Sequence, residues 1–243
     1  DPIKKLSQEN YEVHAVCINT GGFSDNDIKS MEKRAYEIGA YRYKNVDGLE
    51  TFYNKIVKYL IFGNVLKNNT YPLSVSAERI IQAVEIVSYA KSINAKYIAH
   101  GSTGAGNDQV RFDMIFQILA PEIEIISLIR DQNLSRESEI KYLNSHGINI
   151  SWEKAKYSIN TGLWGISIGG AETLNSRDPL PESAYPSKVI KSESEELQIE
   201  FKTGELFAIN GKKGKPFELI QRLQILARDF GIGRDIHIGD TII

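Results

Sequence analysis

The sequence lacks four features that each mark a class of protein. Cys17 is the one cysteine among 243 residues, which excludes an intramolecular disulfide. It lies in the apolar run VHAVCI, so we expect a small buried side chain in a reducing compartment, the cytoplasm. The 29 basic and 31 acidic residues leave a formal charge of −2. This balance provides no field that would attract nucleic acid or an anionic membrane.

Long apolar runs are also missing. Segments such as YLIF and IIQAVEIV are far shorter than the ~20 residues that a transmembrane helix needs. The start carries no signal-peptide pattern, and we expect no membrane partner. Because the chain opens DPIKKLSQEN without a methionine, we expect further sequence before it.

Recognisable catalytic or metal-binding sets are absent as well. The histidines at positions 14, 146 and 237 show no metal-ligand spacing. Neither a Ser-His-Asp nor a Cys-His arrangement is suggested, so we expect neither a metal ligand nor a catalytic nucleophile among the side chains.

Apolar runs alternate with amphipathic segments through the first 155 residues. The β-branched run 11–19 predicts a strand, and apolar residues at helical spacing then predict a helix that Gly39 ends. The same criteria predict further helices and short strands, in chain order helices 49–68 and 77–94, strand 95–99, helix 109–120, strand 123–129 and helix 135–147. This alternation predicts an α/β fold with a doubly wound, Rossmann-like parallel sheet.

Residues after 155 have a different character. The stretch 157–196 is rich in Ser, Gly, Asn and Pro and has little periodicity. A β-hairpin with its turn at Lys202, Thr203 and Gly204 follows, then a helix over 216–231 and a strand over 235–243. We therefore expect two domains, a nucleotide-binding domain at 1–155 and part of a smaller α+β domain at 156–243.

The stretch AHGSTGAGNDQVRFD, residues 99–113, concentrates glycines and hydrogen-bonding side chains between a predicted strand and a predicted helix. In a doubly wound sheet ligands bind at this kind of turn, and the first N–H groups of the helix attract phosphate or carboxylate. Asn107 and Arg111 lie four apart on one helix face. Asp108 is suited to an ammonium group and Arg111 to a carboxylate, the two charges of an α-amino acid.

A purely structural interpretation of this turn is equally open on physical grounds. Asn107 or Asp108 would then cap the helix, Arg111 would be a solvated surface residue, and the glycines would form a tight turn. Val110, Met114, Ile115, Ile118 and Leu119 would supply the apolar side of the helix.

Two further clusters contain similar groups. In NTYPLSVSAER, Tyr71 and Ser76 flank a proline turn before a helix, where a hydroxyl binds a carboxylate or, more commonly, caps the helix. In KYSINTGLWGISIGGAETL, Ser158 and Ser167 lie on either side of Trp164. This loop is either a ligand shelf or a segment packed around an aromatic anchor.

These three clusters carry a family resemblance. HGSTGAGNDQVRF resembles the H-G-x-T-G-x-G-N-D-Q-V-R-F signature of argininosuccinate synthases. YPLSVSAER is similar to their Y-P-L-x-x-S/A-A-R segment, and YSINTGLWGISIGG to their Y-S-x-x-x-N-L-W-G-x-S-x-E-G-G. The match runs in order over essentially the whole chain and is closest to a divergent bacterial branch.

The resemblance implies an adenine nucleotide alpha hydrolase type of fold and an ATP-dependent ligase. Such an enzyme joins citrulline and aspartate through a citrullyl-adenylate and releases AMP and pyrophosphate in arginine biosynthesis. The chemistry requires positioning of charged reactants and neutralisation of phosphate charge, usually with Mg²⁺. The resemblance also implies a homotetramer, whose assembly depends on the domain containing 156–243.

Residue roles follow from the same resemblance. It implies ATP contacts at the backbone of Ile18, beside adenine, and at Gly101. It implies aspartate contacts at Thr103, Asn107 and Asp108. For citrulline it implies contacts from the side chains of Tyr71, Ser76, Asn107, Arg111, Ser158 and Ser167.

The sequence departs from the family pattern at several places. The first strand and the S-G-G-x-D-[ST]-S pyrophosphate loop do not occur in it. Either they lie upstream of Asp1, which we expect, or this form cannot make an adenylate. Gly239 stands where the family has a citrulline-binding Glu, and the neighbouring Asp240 is a candidate substitute for it. SIGGAE lacks the Glu that usually precedes the paired glycines, and the long C-terminal portion of the family is not included.

Two other functions are alternatives to the ligase. Another ATP pyrophosphatase, of the amidotransferase or tRNA-modifying type, would bring zinc-type cysteine pairs or a basic face, and neither is visible. A non-catalytic amino-acid-binding or regulatory protein would lack the nucleotide loop.

Overall fold

The computed structural model describes residues 2–104, 106–132, 134, 136–148, 156–175 and 177–237. Nine α-helices lie in these ranges, α1 Pro2–Gln8, α2 Asp25–Ile38, α3 Leu49–Phe52, α4 Lys58–Phe62, α5 Ser74–Ser92, α6 Asp108–Leu119, α7 Leu128–Asp131, α8 Arg136–Ser145 and α9 Pro216–Arg228. The strands in the same ranges are β1 His14–Asn19, β2 Arg42–Asp47, β3 Tyr97–Ala99, β4 Glu124–Ile126, β5 Ser158–Gly162, β6 Gly165–Gly169, β7 Ile199–Lys202, β8 Glu205–Ile209 and β9 Lys212–Lys213.

The described chain divides into two compact units. The first unit contains the described residues of 1–48 and 78–156, and the second contains 49–77 and the described residues of 157–239. The division falls inside α5, at Glu78, and the segment 49–77 groups with the later part of the chain. The predicted boundary after residue 155 falls outside the described residues, so the two-domain assignment stays a prediction.

The first unit has the predicted α/β character. β1 pairs in parallel with β2, and β3 pairs in parallel with β4, each pair with helical crossovers. The strands form two separate pairs, since no described strand is hydrogen-bonded to both. The pairs begin close together, with the rings of Tyr11 and Tyr97 5.6 Å apart. The α/β class is confirmed, with two parallel pairs in place of one continuous sheet.

Apolar packing holds the β3–β4 pair between α5 and α6. Its buried members are alanine, branched aliphatic and phenylalanine side chains, namely Ala83, Val87, Ala90, Ile98, Phe116, Ala120 and Ile123. The inward face of α6 carries Phe112, Ile115 and Phe116, whereas Val110, Met114, Ile118 and Leu119 are exposed. The predicted apolar side of this helix is therefore wrong except at Ile115. Apolar residues lie all around α6, so packing and not periodicity selects the buried face.

Both ends of helix α2 are formed by residues that follow general helix-capping rules. Ser24 caps α2 through a reciprocal pair of hydrogen bonds with Asp27. Gly39 ends the same helix at φ +115°, and a Cβ there would lie 2.6 Å from Oγ of Ser7. The predicted stop at Gly39 is confirmed, because only glycine accepts this backbone conformation and this contact.

β2 was not predicted. Its sequence RYKNVD has no apolar run, and most of its side chains are exposed or half-buried. The strand forms because its backbone pairs with β1 from His14–Arg42 to Asn19–Asp47. Pairing between distant segments leaves little signature in a local window.

The second unit contains two antiparallel sheets with helices. β5 and β6 form a hairpin around Leu163 and Trp164, in a region where no strand was predicted. The glycines and serines of this segment interrupt the alternation of apolar and polar residues from which a strand is usually predicted. β7, β8 and β9 form a three-stranded sheet that packs on α9 through Leu206, Ile209 and Leu219.

The predicted hairpin at Lys202–Gly204 is confirmed. Thr203 and Gly204 form its two-residue turn at φ +50° and φ +84°, and Lys202 is the last strand residue. Both central residues have positive φ, as the hairpin turn that matches strand twist requires.

Other boundaries differ from the prediction. The helical segment from Leu49 ends at Phe62, before Gly63, and includes a π-helical turn at Tyr53–Val57. It does not continue to residue 68, since Asn64 and Asn68 adopt positive φ. Residues 235–237 form no strand, and the rest of the predicted C-terminal strand lies outside the described residues. Within the described ranges, no helix combines the length and apolar character needed to cross a bilayer.

Candidate active site

The turn between β3 and α6 has the predicted strand–loop–helix form. β3 ends at Ala99, the loop contains Gly101 and Thr103, and α6 begins at Asp108. The amide of Gln109 donates to the carbonyl of Gly104 at 2.6 Å, and the N–H of Gly106 donates to the carbonyl of Thr103. These bonds fold the loop back on the helix. α6 therefore begins beside this loop, and the N–H groups of its first turn form the end of the helix that attracts anions.

Asp108 lies between two arginines. Its Oδ1 accepts from Nη1 of Arg111 at 2.8 Å, and its Oδ2 accepts from Nε of Arg79 at 2.9 Å. Arg111 is thus an ion-pair partner and not a solvated surface residue. A carboxylate accepts about four hydrogen bonds and a guanidinium donates five. The pair therefore keeps the capacity to bind an ammonium at Asp108 and a carboxylate at Arg111.

Asn107 occupies the N-cap position of α6 but makes no capping hydrogen bond with its side chain. Asp108, the first helical residue, directs its carboxylate to the arginines and not to the helix backbone. The side-chain cap expected in the purely structural interpretation is therefore not formed, whereas the turn that it expected at the glycines is, since the N–H of Gly106 bonds back to Thr103. Both polar side chains are half-buried at the opening of the turn.

His100 fixes the start of the glycine loop through the hydrogen bonds of its ring. The backbone N–H of Ser102 donates to Nδ1 of His100, so the ring proton lies on Nε2, which donates to Oδ1 of Asp113 at 2.9 Å. Oδ2 of Asp113 in turn accepts from Arg130, which also contacts Ser127. The loop that contains Gly101 and Thr103 therefore starts from a buried histidine whose two ring nitrogens both have hydrogen-bond partners.

The carboxyl end of β1 forms a second part of the same unit. Ile18 is buried, and Oδ1 of Asn19 accepts from the N–H groups of Gly21 and Phe23, which shapes the following loop. A Cβ on Gly48 would lie 2.9 Å from Cγ2 of Ile18. The backbone at Ile18 is thereby held in one place, as a binding backbone requires.

Glu78 was not identified from the sequence. It is 5% exposed, and its carboxyl accepts from the hydroxyl of Thr20, which is 1% exposed. Burial raises the pKa of Glu78, with Asp108 adding to the increase and the Thr20 hydrogen bond and Arg79 opposing it. No motif indicates this contact, because residues 58 apart form it.

The second unit contains Tyr71 and Ser76. The hydroxyl of Tyr71 accepts from the N–H of Val75 at 3.1 Å, and its ring stacks on His237 at 4.9 Å. Ser76 lies in the first turn of α5 and donates its hydroxyl to the carbonyl of Leu73. The capping interpretation of Ser76 is wrong, since α5 begins two residues earlier, at Ser74.

Ser158 and Ser167 lie on the β5–β6 hairpin of the second unit. Asn160 pairs with Ser167 in the register and is two residues from Ser158, so the three residues share one face. Nε1 of Trp164 donates to the carbonyl of Pro72 at 2.9 Å, which joins the hairpin to the Tyr71 segment. This hydrogen bond places the turn of the hairpin beside the Tyr71 segment, and Asn160 is a further polar residue on the hairpin face that carries Ser158 and Ser167.

A metal site is not formed by side chains in the described part of the chain, where no three His, Cys, Asp or Glu residues cluster. Gly239 and Asp240, predicted as a departure at the citrulline site, lie outside the described residues.

Comparison with known proteins agrees with this geometry. A family model described as the arginosuccinate synthase N-terminal HUP domain matches residues 2–149, and one described as the arginosuccinate synthase C-terminal domain matches residues 157–243. The fold and the β3–α6 turn define an α/β protein of the HUP class.

Similarity to individual proteins identifies the family within this class. The argininosuccinate synthase of Methanocaldococcus jannaschii is 39% identical over 236 residues, which cover 96% of this chain and 59% of the relative. Those of Lactococcus lactis subsp. lactis and Pyrococcus furiosus are 35% and 36% identical, each over 99% of this chain and over 61% and 59% of the relative. The chain belongs to the argininosuccinate synthase family. It spans about 60% of the length of the curated relatives it matches.

Proposed function

We propose that the protein is an ATP-dependent ligase that joins citrulline and aspartate into argininosuccinate. In this reaction the ureido oxygen of citrulline displaces pyrophosphate from ATP to form a citrullyl-adenylate. The amine of aspartate then displaces AMP. The observation that carries the proposal is the carboxylate of Asp108 held between Arg79 and Arg111 at the glycine loop, in a chain of this family.

The charged groups of the turn suit two amino acids. Asp108 would accept the ammonium of aspartate, with Thr103 and Asn107 as hydrogen-bonding neighbours. Arg111 would bind the carboxylate of citrulline, and Asn107 would reach both substrates. The hydroxyls of Tyr71, Ser76, Ser158 and Ser167 would complete the citrulline contacts, with Asn160 added on the face of the two strand serines.

ATP would bind at the carboxyl ends of β1 and β3, with its adenine against the backbone of Ile18 and its chain of phosphates near Gly101. Mg²⁺ would arrive with the phosphates, which is its usual way of binding in nucleotide enzymes. The protein needs no side-chain nucleophile for this chemistry, because its contribution is positioning and charge stabilisation. A cytoplasmic location remains a prediction from the lone cysteine, and a homotetramer remains a prediction from the resemblance.

The test is a product assay on the protein at its natural length. With ATP, Mg²⁺, citrulline and aspartate we expect argininosuccinate, AMP and pyrophosphate in equal amounts. Pyrophosphate release that depends on citrulline but yields no argininosuccinate would point to another adenylating enzyme. Citrulline binding without ATP turnover would support the non-catalytic alternative.

Replacing Asp108 with Asn removes the charge that the aspartate ammonium would meet. Asp108→Asn should raise the KM for aspartate about tenfold or more, the loss of one charge-assisted hydrogen bond, while the KM for ATP stays within about twofold. Glu37→Gln, an exposed surface change on α2, is the matched control. An unchanged KM for aspartate would contradict the assigned role of Asp108.

A further inference from the structure

Glu78 is a buried carboxyl at the start of the first unit's part of α5. Removing a carboxyl from water is costly unless it gains hydrogen bonds or a charge partner. Glu78 has both, because Thr20 donates to Oε1 and Nη1 of Arg79 lies 3.8 Å from Oε2. At 5% exposure it cannot touch a ligand in the open turn.

Arg79 connects this buried pair to the turn. Its Nη1 donates to Oε1 of Gln82 at 2.8 Å, and its Nε donates to Oδ2 of Asp108 at 2.9 Å. The guanidinium is planar and rigid, so contacts on one edge determine where its other edge points. Glu78 and Gln82 therefore limit the orientation of the group that holds Asp108.

The contacts form one continuous path. It begins at Thr20, just after β1, passes through Glu78 and Arg79, and ends at Asp108 and Arg111 on α6. Thr20 follows the strand end assigned to adenine, and Asp108 is the residue assigned to aspartate. The path thus joins the carboxyl end of β1, in the first parallel pair, to the turn after β3, in the second pair.

We propose that Glu78, held by Thr20, is a positioning residue for aspartate binding. It sets the orientation of the Arg79 guanidinium, which in turn holds the Asp108 carboxylate toward the substrate ammonium. The inference rests on the proposed function, since it concerns how well aspartate binds in that reaction. It assigns no contact with substrate to Glu78 itself.

The test compares Glu78→Leu, Glu78→Gln and Thr20→Val in the protein at its natural length, with Glu37→Gln as control. Glu78→Leu should raise the KM for aspartate about tenfold and leave the KM for citrulline and kcat within about twofold. Glu78→Gln keeps an oxygen for Thr20 and should raise the KM for aspartate only about threefold. Thr20→Val should fall between these two variants.

A double variant separates positioning from general damage. If Thr20 acts through Glu78, Thr20→Val combined with Glu78→Leu should be no worse than Glu78→Leu alone. Thr20→Ser restores the hydroxyl and should recover the wild-type KM for aspartate. Should Glu78→Leu fail to fold, Glu78→Gln and the Thr20 variants make the same comparison.

The outcomes are distinct from those of the ligase assay. A wild-type protein that forms no argininosuccinate overturns the proposed function. A wild-type protein that is active, with Glu78 and Thr20 variants that match Glu37→Gln or raise both substrate KM values equally, overturns the positioning role.

Discussion

The least accessible charges of the first unit belong to the site. Among the acidic side chains that the structure describes, Glu78 alone is buried, and it shares a set of contacts with Asp108 through Arg79. Proteins tolerate such burial when the group is partnered, and perturbed acids of this kind concentrate where ligands bind. At the scale of single residues, the ion pairs of Arg79 with Glu78 and Asp108 therefore position the side chains of the β3–α6 turn.

Burial of Glu78 predicts a defined dependence of stability on pH. The raised pKa means that the native state holds a proton that the unfolded chain releases near its ordinary pKa of about 4.3. The stability that this proton contributes is complete below that pH and is lost as pH rises through the native pKa. The free energy of unfolding of Glu78→Gln should therefore increase relative to wild type as pH rises from 4 to 8.

Urea unfolding of both proteins at several pH values measures this difference. Comparing variants removes the opposite contributions of carboxyls such as Asp27 and Asp131, whose pKa values are lowered by hydroxyl hydrogen bonds from Ser24 and Ser127. Glu37→Gln, an exposed change on α2, is measured beside it as the control. A Glu78→Gln difference that is flat or decreases with pH would contradict the prediction.

At the scale of elements, the β5–β6 hairpin is fixed by its turn. Leu163 is buried, and Trp164 donates to the carbonyl of Pro72, beside Tyr71. Leu73, next to this carbonyl, is held at φ +59°, a strained conformation for a bulky residue. Strain of this kind persists when surrounding contacts impose it, and here the hairpin supplies one of those contacts.

Replacing Trp164 with Phe tests this connection. The variant keeps a ring in place but leaves the carbonyl of Pro72 without its donor, so the free energy of unfolding should fall by about 1 kcal/mol. Tyr59→Phe, which removes a hydroxyl from an exposed ring, should cost much less. Denaturant titrations measure both changes, and equal values for the two variants would contradict the role of the Trp164 hydrogen bond.

Elements also differ in how well they were predicted. Helices α2 and α9 and the β7–β8 hairpin carry their own stop and turn residues, such as Gly39 and Gly204. Strand β2 and the β5–β6 hairpin carry no such marks, since they depend on partners elsewhere in the chain. The π-helical turn at Tyr53–Val57 likewise follows from packing, where Tyr53 donates to Glu205 at 2.9 Å.

At the scale of the whole molecule, binding and stability are coupled. A ligand that binds only the native state stabilises it by roughly 2.7 kcal/mol at a hundredfold excess over its Kd. Citrulline should therefore raise the melting temperature of the protein at its natural length. Arg111→Gln should abolish this shift and keep the shift caused by ATP, because Asp108 retains Arg79 as a partner.

Differential scanning fluorimetry with each ligand alone measures these shifts. Glu37→Gln should respond to both ligands as the wild type does. A citrulline shift that survives in Arg111→Gln would show that this residue does not bind the citrulline carboxylate.

The chemistry-bearing residues could be found from the sequence because they lie close together along the chain. Thr103, Asn107, Asp108 and Arg111 occupy one turn, and glycine and helix-start signals locate such a turn by local rules. The α/β class followed from the alternation of apolar runs and amphipathic segments. The assignment of Thr103, Asn107 and Asp108 to aspartate, and of Asn107 and Arg111 to citrulline, came from the family motifs and remains to be tested.

Contacts between distant segments were decided only by the tertiary structure. Arg79 lies 29 residues from Asp108 and Thr20 lies 58 residues from Glu78, and the inward face of α6 is chosen among several apolar faces. The sequence by itself determined where backbone conformation is restricted and where small polar residues concentrate, because these depend on neighbours along the chain. The buried path from Thr20 to Arg111 required folding, since its hydrogen bonds form only when water is excluded from side chains brought together from separate elements.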